Sequence, residues 1–215
     1  MRIAAHLLIR ILLRLLFGFR APTRLPHRQC IVIANHNSHI DVMALFALFP
    51  LAAIPRVRCL VAGDYFRRGL KHWVARYLFN AIAVERRAKF SRVKPTEPGK
   101  QALRAGQSLI LFPEGTRGEP GRMADFKAGI GELVLEFPDL PIVVVALRGL
   151  EKTLPRKETL VVPFYVVATV SPPVTGRELA EKQQLRSRKE IVRELEARLR
   201  AAIEASSPSR SARAE

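Results

Sequence analysis

A histidine and an aspartate five positions apart, His36 and Asp41, offer this chain's clearest chemistry. They follow an apolar run, Cys30-Ile31-Val32-Ile33-Ala34, that reads as a buried β-strand. Polarity changes abruptly at Asn35, so polar groups are delivered to a strand end, where loops carry function. On one continuous helix the two side chains would point about 140° apart. They meet only if His36 sits in the loop and Asp41 in the first turn of a helix starting near Ser38 or His39. An acid is favoured there by the helix dipole. Its carboxylate can hold one imidazole nitrogen and leave the other as a general base. The plainer alternative is a capping Asp41 and a surface His36. Ser38 as a nucleophile lacks a G-x-S-x-G elbow.

A second stretch has the same build. Gln107 to Leu111 reads as a strand running into Phe112-Pro113-Glu114-Gly115-Thr116-Arg117. Pro113 ends a central strand, and Gly115 permits a tight turn or a close backbone approach. Arg117 offers a planar fork suited to phosphate. Glu114 is an acid in a basic chain and calls for a specific partner. Paired with each other, the two would form a weak surface ion pair.

The elements that position these residues alternate. A helix is expected from about His39 to Phe49, closed by Pro50, and strands over 57–62 and 80–84. A basic, aromatic helix is expected over 67–79. Another spans 95–105 with Thr96 as its N-cap, and a further one runs from about Ala124 to Glu136. Ile142 to Leu147 is a β-branched strand. Leu160 to Val170 is a strand that Pro163 marks as bent or at an edge. The alternation predicts a single α/β domain with a mostly buried central sheet flanked by helices.

The ends differ from this middle. Residues 1–20 read as an amphipathic helix in which Arg2, His6, Arg10 and Arg14 recur every four residues as one basic stripe. Leucines and isoleucines fill the remainder. No apolar stretch there approaches the ~20 residues that span a bilayer. The arginines also interrupt any signal-peptide core. The expectation is a helix lying in a membrane interface, held by Leu/Ile insertion and Arg–lipid attraction. Residues 21–27 read as a linker, 177–205 as one charged C-terminal helix, and 206–215 as a disordered tail.

The formal net charge is +17, and no acid precedes Asp41. Such a balance implies a polyanionic neighbour: nucleic acid, an anionic membrane surface, or an acidic donor such as coenzyme A or acyl carrier protein. A bare basic binding protein has no need of His36, Asp41, Glu114 and Arg117 together, so nucleic acid is not the expected partner. The two cysteines, Cys30 and Cys59, lie in strand-like runs and suggest buried thiols in a reducing compartment. Without H-E-x-x-H or paired C-x-x-C, no metal site is expected.

Asn35-His36-x4-Asp41 with Phe112-Pro113-Glu114-Gly115-Thr116-Arg117 resembles the glycerolipid acyltransferase family, of the lysophosphatidate (1-acylglycerol-3-phosphate) acyltransferase type. Two further blocks match its order: Ala81 to Arg87, and Leu140 to Ala146. Phe126-Lys127-Ala128-Gly129 matches its F-K-x-G, and the likeness spans about residues 25 to 175. The resemblance implies acyl transfer from acyl-coenzyme A or acyl carrier protein to a lysophospholipid, with no cofactor beyond that co-substrate. It implies His36 and Asp41 as the catalytic dyad. Arg86, Glu114, Gly115, Thr116 and Arg117 become the acceptor site. It also implies a peripheral position on the cytoplasmic face of the plasma membrane. His39, Val144 and Gly118 depart from the usual pattern. They leave open another lysophospholipid or a lyso-ornithine lipid as acceptor.

Overall fold

The computed structural model describes residues 2–38, 40–63, 76–84, 94–115, 123–149, 165–182, 184 and 187–206. Strands β1 (Ile31–Ala34), β2 (Val57–Ala62), β3 (Ala81–Val84), β4 (Ser108–Leu111), β5 (Ile142–Arg148) and β6 (Val167–Val170) form one sheet. Their order is β3-β2-β4-β1-β5-β6. All neighbours are parallel except β5 and β6. The helices are α1 (Arg2–Phe17), α2 (Ile40–Leu48), α3 (Glu97–Arg104), α4 (Gly129–Glu136), α5 (Gly176–Lys182) and α6 (Arg188–Ala205). The expected α/β class and buried central sheet are what the chain adopts.

The central strands read as continuous apolar runs because both faces are covered. Alternate residues feed opposite cores. Val32, Ala34, Ile110, Val143 and Val145 pack under α1 and α2. Ile31, Ile33, Leu109, Leu111, Ile142 and Val144 pack under α3, α4 and α6. Because β1 and β4 are adjacent and parallel, with Ile33 level with Leu111, both motif loops leave the same sheet edge side by side. In such sheets ligands bind beyond the carboxyl ends of the strands.

Several expectations need correction. Three members of the basic stripe of α1, Arg2, His6 and Arg10, bond to the protein itself, and Arg14 stays exposed. His6 is buried, stacked on Phe46 with centroids 5.2 Å apart, and its Nε2 donates to the Leu78 carbonyl at 2.9 Å. Arg2 donates to Asn80 Oδ1 at 3.0 Å, and Arg10 to the Phe49 carbonyl. The side chains left outside are Ile3, Leu7, Leu8, Ile11, Leu12, Leu15 and Leu16, between 42% and 77% exposed. Residues 21–27 are not a free linker. Leu25 is buried and its N–H donates to the Leu48 carbonyl, while Arg20 already bridges to Val167.

The helix expected from Ala124 starts only at Gly129, since Ala124, Phe126 and Lys127 give their N–H groups to partners outside it. The single helix expected over 177–205 is two, α5 and α6. Ser187 is extended and opens α6 with a capping box: its side chain accepts from Glu190 N–H, and the Glu190 side chain accepts from Ser187 N–H. Thr96 stands at the N-cap of α3 without a side-chain cap bond. The helix over 67–79, the start of the 160–170 strand and the 206–215 tail lie largely outside the described residues.

Candidate active site

β1 ends at Ala34, and the next residue anchors the turn. The Asn35 side chain makes a two-way bond with the β5 backbone: Nδ2 donates to the Leu147 carbonyl and Oδ1 accepts the Leu147 N–H, each at 2.8 Å. Asn35 thereby continues the sheet's hydrogen bonding past the strand and holds His36 at its edge.

Asp41 sits in the first turn of α2 and is fully buried. Its Oδ2 accepts three N–H groups: His36 Nδ1 at 2.9 Å, Asn37 backbone at 2.6 Å and Ser38 backbone at 2.8 Å. Backbone N–H groups gathered before a helix suit a carboxylate. Oδ1 is buried without a hydrogen-bond partner. Burial pushes the Asp41 carboxyl up from its ordinary value, opposed by His36 and by the Ser38 and Asn37 amides. With Nδ1 donating to Asp41, the other ring nitrogen, Nε2, carries the lone pair. His36 Nε2 makes no hydrogen bond among the described residues, and the side chain is 20% exposed. The Phe112 ring stacks on the imidazole, 4.1 Å between centroids and 18° between planes. Ser38 is buried, and its Oγ accepts the Ile40 N–H, an Ser-turn role rather than a nucleophile's.

Glu114 comes to the same place from β4. Oε1 accepts the His36 N–H at 2.9 Å, and Oε2 accepts the Ala124 N–H at 2.8 Å. Burial pushes its carboxyl up, opposed by those two amides. Both oxygens hold backbone, so in the structure this residue is a brace between the two motif loops. Gly115 has φ of +77°, the left-handed region that a tight turn needs, and its N–H closes on the Phe112 carbonyl at 2.9 Å. Arg86, Thr116 and Arg117 lie outside the described residues.

Sequence reasoning passed over two supports, Asn35 and Phe112. Asn35 was readable as a polar residue directly after an apolar run. Phe112 stood out as the first residue of its motif, but its stacking on His36 was not readable, because that partner is far back in the chain. Cys30 is fully buried and its thiol is pushed up to about 11, which makes it a packing group. Among the described residues, no three His, Cys, Asp or Glu groups converge as metal ligands.

A family model described as Acyltransferase matches residues 17–148. The human 1-acyl-sn-glycerol-3-phosphate acyltransferase alpha is 26% identical over 182 residues, covering 81% of this chain and 61% of that protein. The human beta enzyme is 30% identical over 143 residues, covering 64% and 49%. The chain thus spans about three-fifths or less of these relatives' length. In fold it resembles the 1-acyl-sn-glycerophosphate acyltransferase PlsC from Thermotoga maritima. The TM-score is 0.72 at 19% identity, over 96% of this chain and 82% of that one.

Proposed function

The chain belongs to the acyltransferase family, and from that premise we propose that it moves a fatty acyl group from an acyl thioester to the free hydroxyl of 1-acylglycerol-3-phosphate, giving phosphatidate. The observation that carries this is the His36–Asp41 contact at a strand end, with Nδ1 held and Nε2 free. The relatives named for this reaction support the acceptor.

In this reading His36 Nε2 takes the proton of the acceptor hydroxyl as its oxygen attacks the thioester carbonyl. Asp41 keeps the tautomer and stabilises the imidazolium. Collapse of the tetrahedral intermediate breaks the C–S bond, and the thiolate recovers the proton from Nε2. No acyl-enzyme is needed, because the acceptor is the nucleophile. Phe112 and Glu114 are positioning residues: one orients the ring, the other its backbone. Gly115 shapes the turn that leads to Thr116 and Arg117. Those two, with Arg86, are proposed to hold the acceptor phosphate. The donor is acyl-coenzyme A or acyl carrier protein. The protein works at the cytoplasmic face of the plasma membrane, with the outer arc of α1 in the lipid. No described helix is long and apolar enough to cross a bilayer.

The test is thioester consumption by detergent-solubilised protein given acyl-coenzyme A and lysophosphatidate. His36→Ala is expected to lose roughly 10²-fold or more with an unchanged circular dichroism spectrum. Equal turnover in the variant would sink the dyad. Turnover only with a different lysolipid would keep the dyad and replace the acceptor.

A further inference from the structure

A second concentration of charge lies away from the dyad. Arg10 and Arg14 are one turn apart on the flank of α1, between its buried side and its exposed leucines. Arg24, from the chain that follows, joins them in one cleft floored by Phe19, Ala21 and Ala47. Among the described residues none of the three arginines forms an ion pair. Arg10 is held by the Phe49 carbonyl, while its Nε is buried without an acceptor. Burial and the charges of Arg24 and Arg14 hold Arg10 below the ordinary arginine value. Three like charges gathered without a counter-charge repel one another. An anion between them removes the repulsion, and guanidinium forks match phosphate oxygens.

The setting says which phosphate. The cleft abuts the exposed leucine arc of α1, so a bilayer taking up that arc brings its headgroups to the arginines. Ala47 lies at the C-terminal end of α2, and Asp41 at its start. The intervening helix is roughly 9 Å long at 1.5 Å per residue. His36, held by Asp41, and the cleft therefore lie at opposite ends of α2.

We propose that the Arg10–Arg14–Arg24 cleft binds the phosphate of an anionic membrane lipid that is not the reacting lipid, fixing how α1 sits on the bilayer. This rests on the reading that the outer arc of α1 enters a membrane.

The experiment is flotation with vesicles of phosphatidylcholine alone or with phosphatidylglycerol added, checked by thermal melts. Wild type is expected to prefer the anionic vesicles. Arg14→Gln with Arg24→Gln, both on exposed residues, is expected to keep phosphatidylcholine binding and lose that preference by about 30-fold. Lys189→Gln with Arg193→Gln, equal in charge and placed on α6, is expected to retain it. A preference kept by the first pair, or lost equally by the second, overturns the cleft. If wild type floats with neither vesicle, the membrane reading fails by itself. A soluble short-chain phosphatidylglycerol then decides: a raised melting temperature that depends on Arg14 and Arg24 upholds the cleft, and no shift overturns it. The same dependence with inorganic phosphate or an RNA oligomer overturns the assignment to a lipid.

Discussion

α1 and α6 are both leucine-bearing amphipathic helices, and they face opposite ways. α6 turns Ile191, Val192, Leu195 and Leu199 into the core under β5 and α4. Its outer side carries Arg198–Glu194 and Arg200–Glu196 pairs at 2.7 Å, each one turn apart. Gly131 on α4 allows the close approach, since a Cβ there would meet the Arg188 carbonyl at 2.8 Å. α1 instead buries His6, Leu13 and Phe17 and leaves Leu7, Leu8, Leu12, Leu15 and Leu16 outside, Leu15 at 77% exposure. It has no acid to neutralise its arginines. An apolar stripe states that a helix face will be covered. It does not state what covers it.

The contrast can be broken at four points. The largest effect belongs to Leu195→Ala, which should cost about 2–5 kcal/mol in denaturant unfolding, because the side chain is fully enclosed. If it costs no more than a surface change, α6 is not the packed helix described. Next, Leu8→Ser with Leu15→Ser should leave unfolding within about 0.5 kcal/mol per site. The same pair should weaken vesicle binding at least tenfold, given ~1.5–3 kcal/mol per buried leucine. Marked destabilisation without a vesicle effect would mean that these leucines pack on protein.

Ser187→Ala removes the cap of α6 and should cost about 1 kcal/mol, read as a lower melting temperature. No cost would mean the break before α6 needs no cap. The smallest effect is a pH dependence at His6. Burial lowers its proton affinity below the ordinary 6.5, so the folded state holds it neutral. Its contribution is intact above pH 6.5. It declines as pH falls below that value, because the unfolded chain takes up a proton that the folded chain refuses. Melting temperatures measured across about pH 7 to 5 should fall less steeply in His6→Gln, and parallel curves would remove His6 from the account.

Much of the frame was legible in the chain. Runs such as 30–34 and 142–147 are apolar because their strands are buried on both faces, and such runs announce themselves. The His36-to-Asp41 spacing implied a loop followed by a helix start, and that geometry is present. The α5–α6 break was also readable, because Ser187-x-x-Glu190 is a capping pattern, but the charged helical period on either side concealed it. The late start of α4 was not readable. The Phe126 N–H goes to Glu196, 70 positions away, and the Ala124 N–H turns back to Glu114 in the preceding loop.

By itself the sequence determined the alternation of strands and helices, the two motif loops, and the meeting of His36 with Asp41. Each depends on residues a few positions apart, where chain geometry does the work. Tertiary structure alone decided that Glu114 braces His36 across 78 positions, that Phe112 lies on the imidazole, and that α1 buries His6 while leaving Leu15 exposed. Those outcomes follow from parallel pairing of β1 with β4 and from competition for buried surface. Both are sums over the whole fold, and no local window of residues contains them.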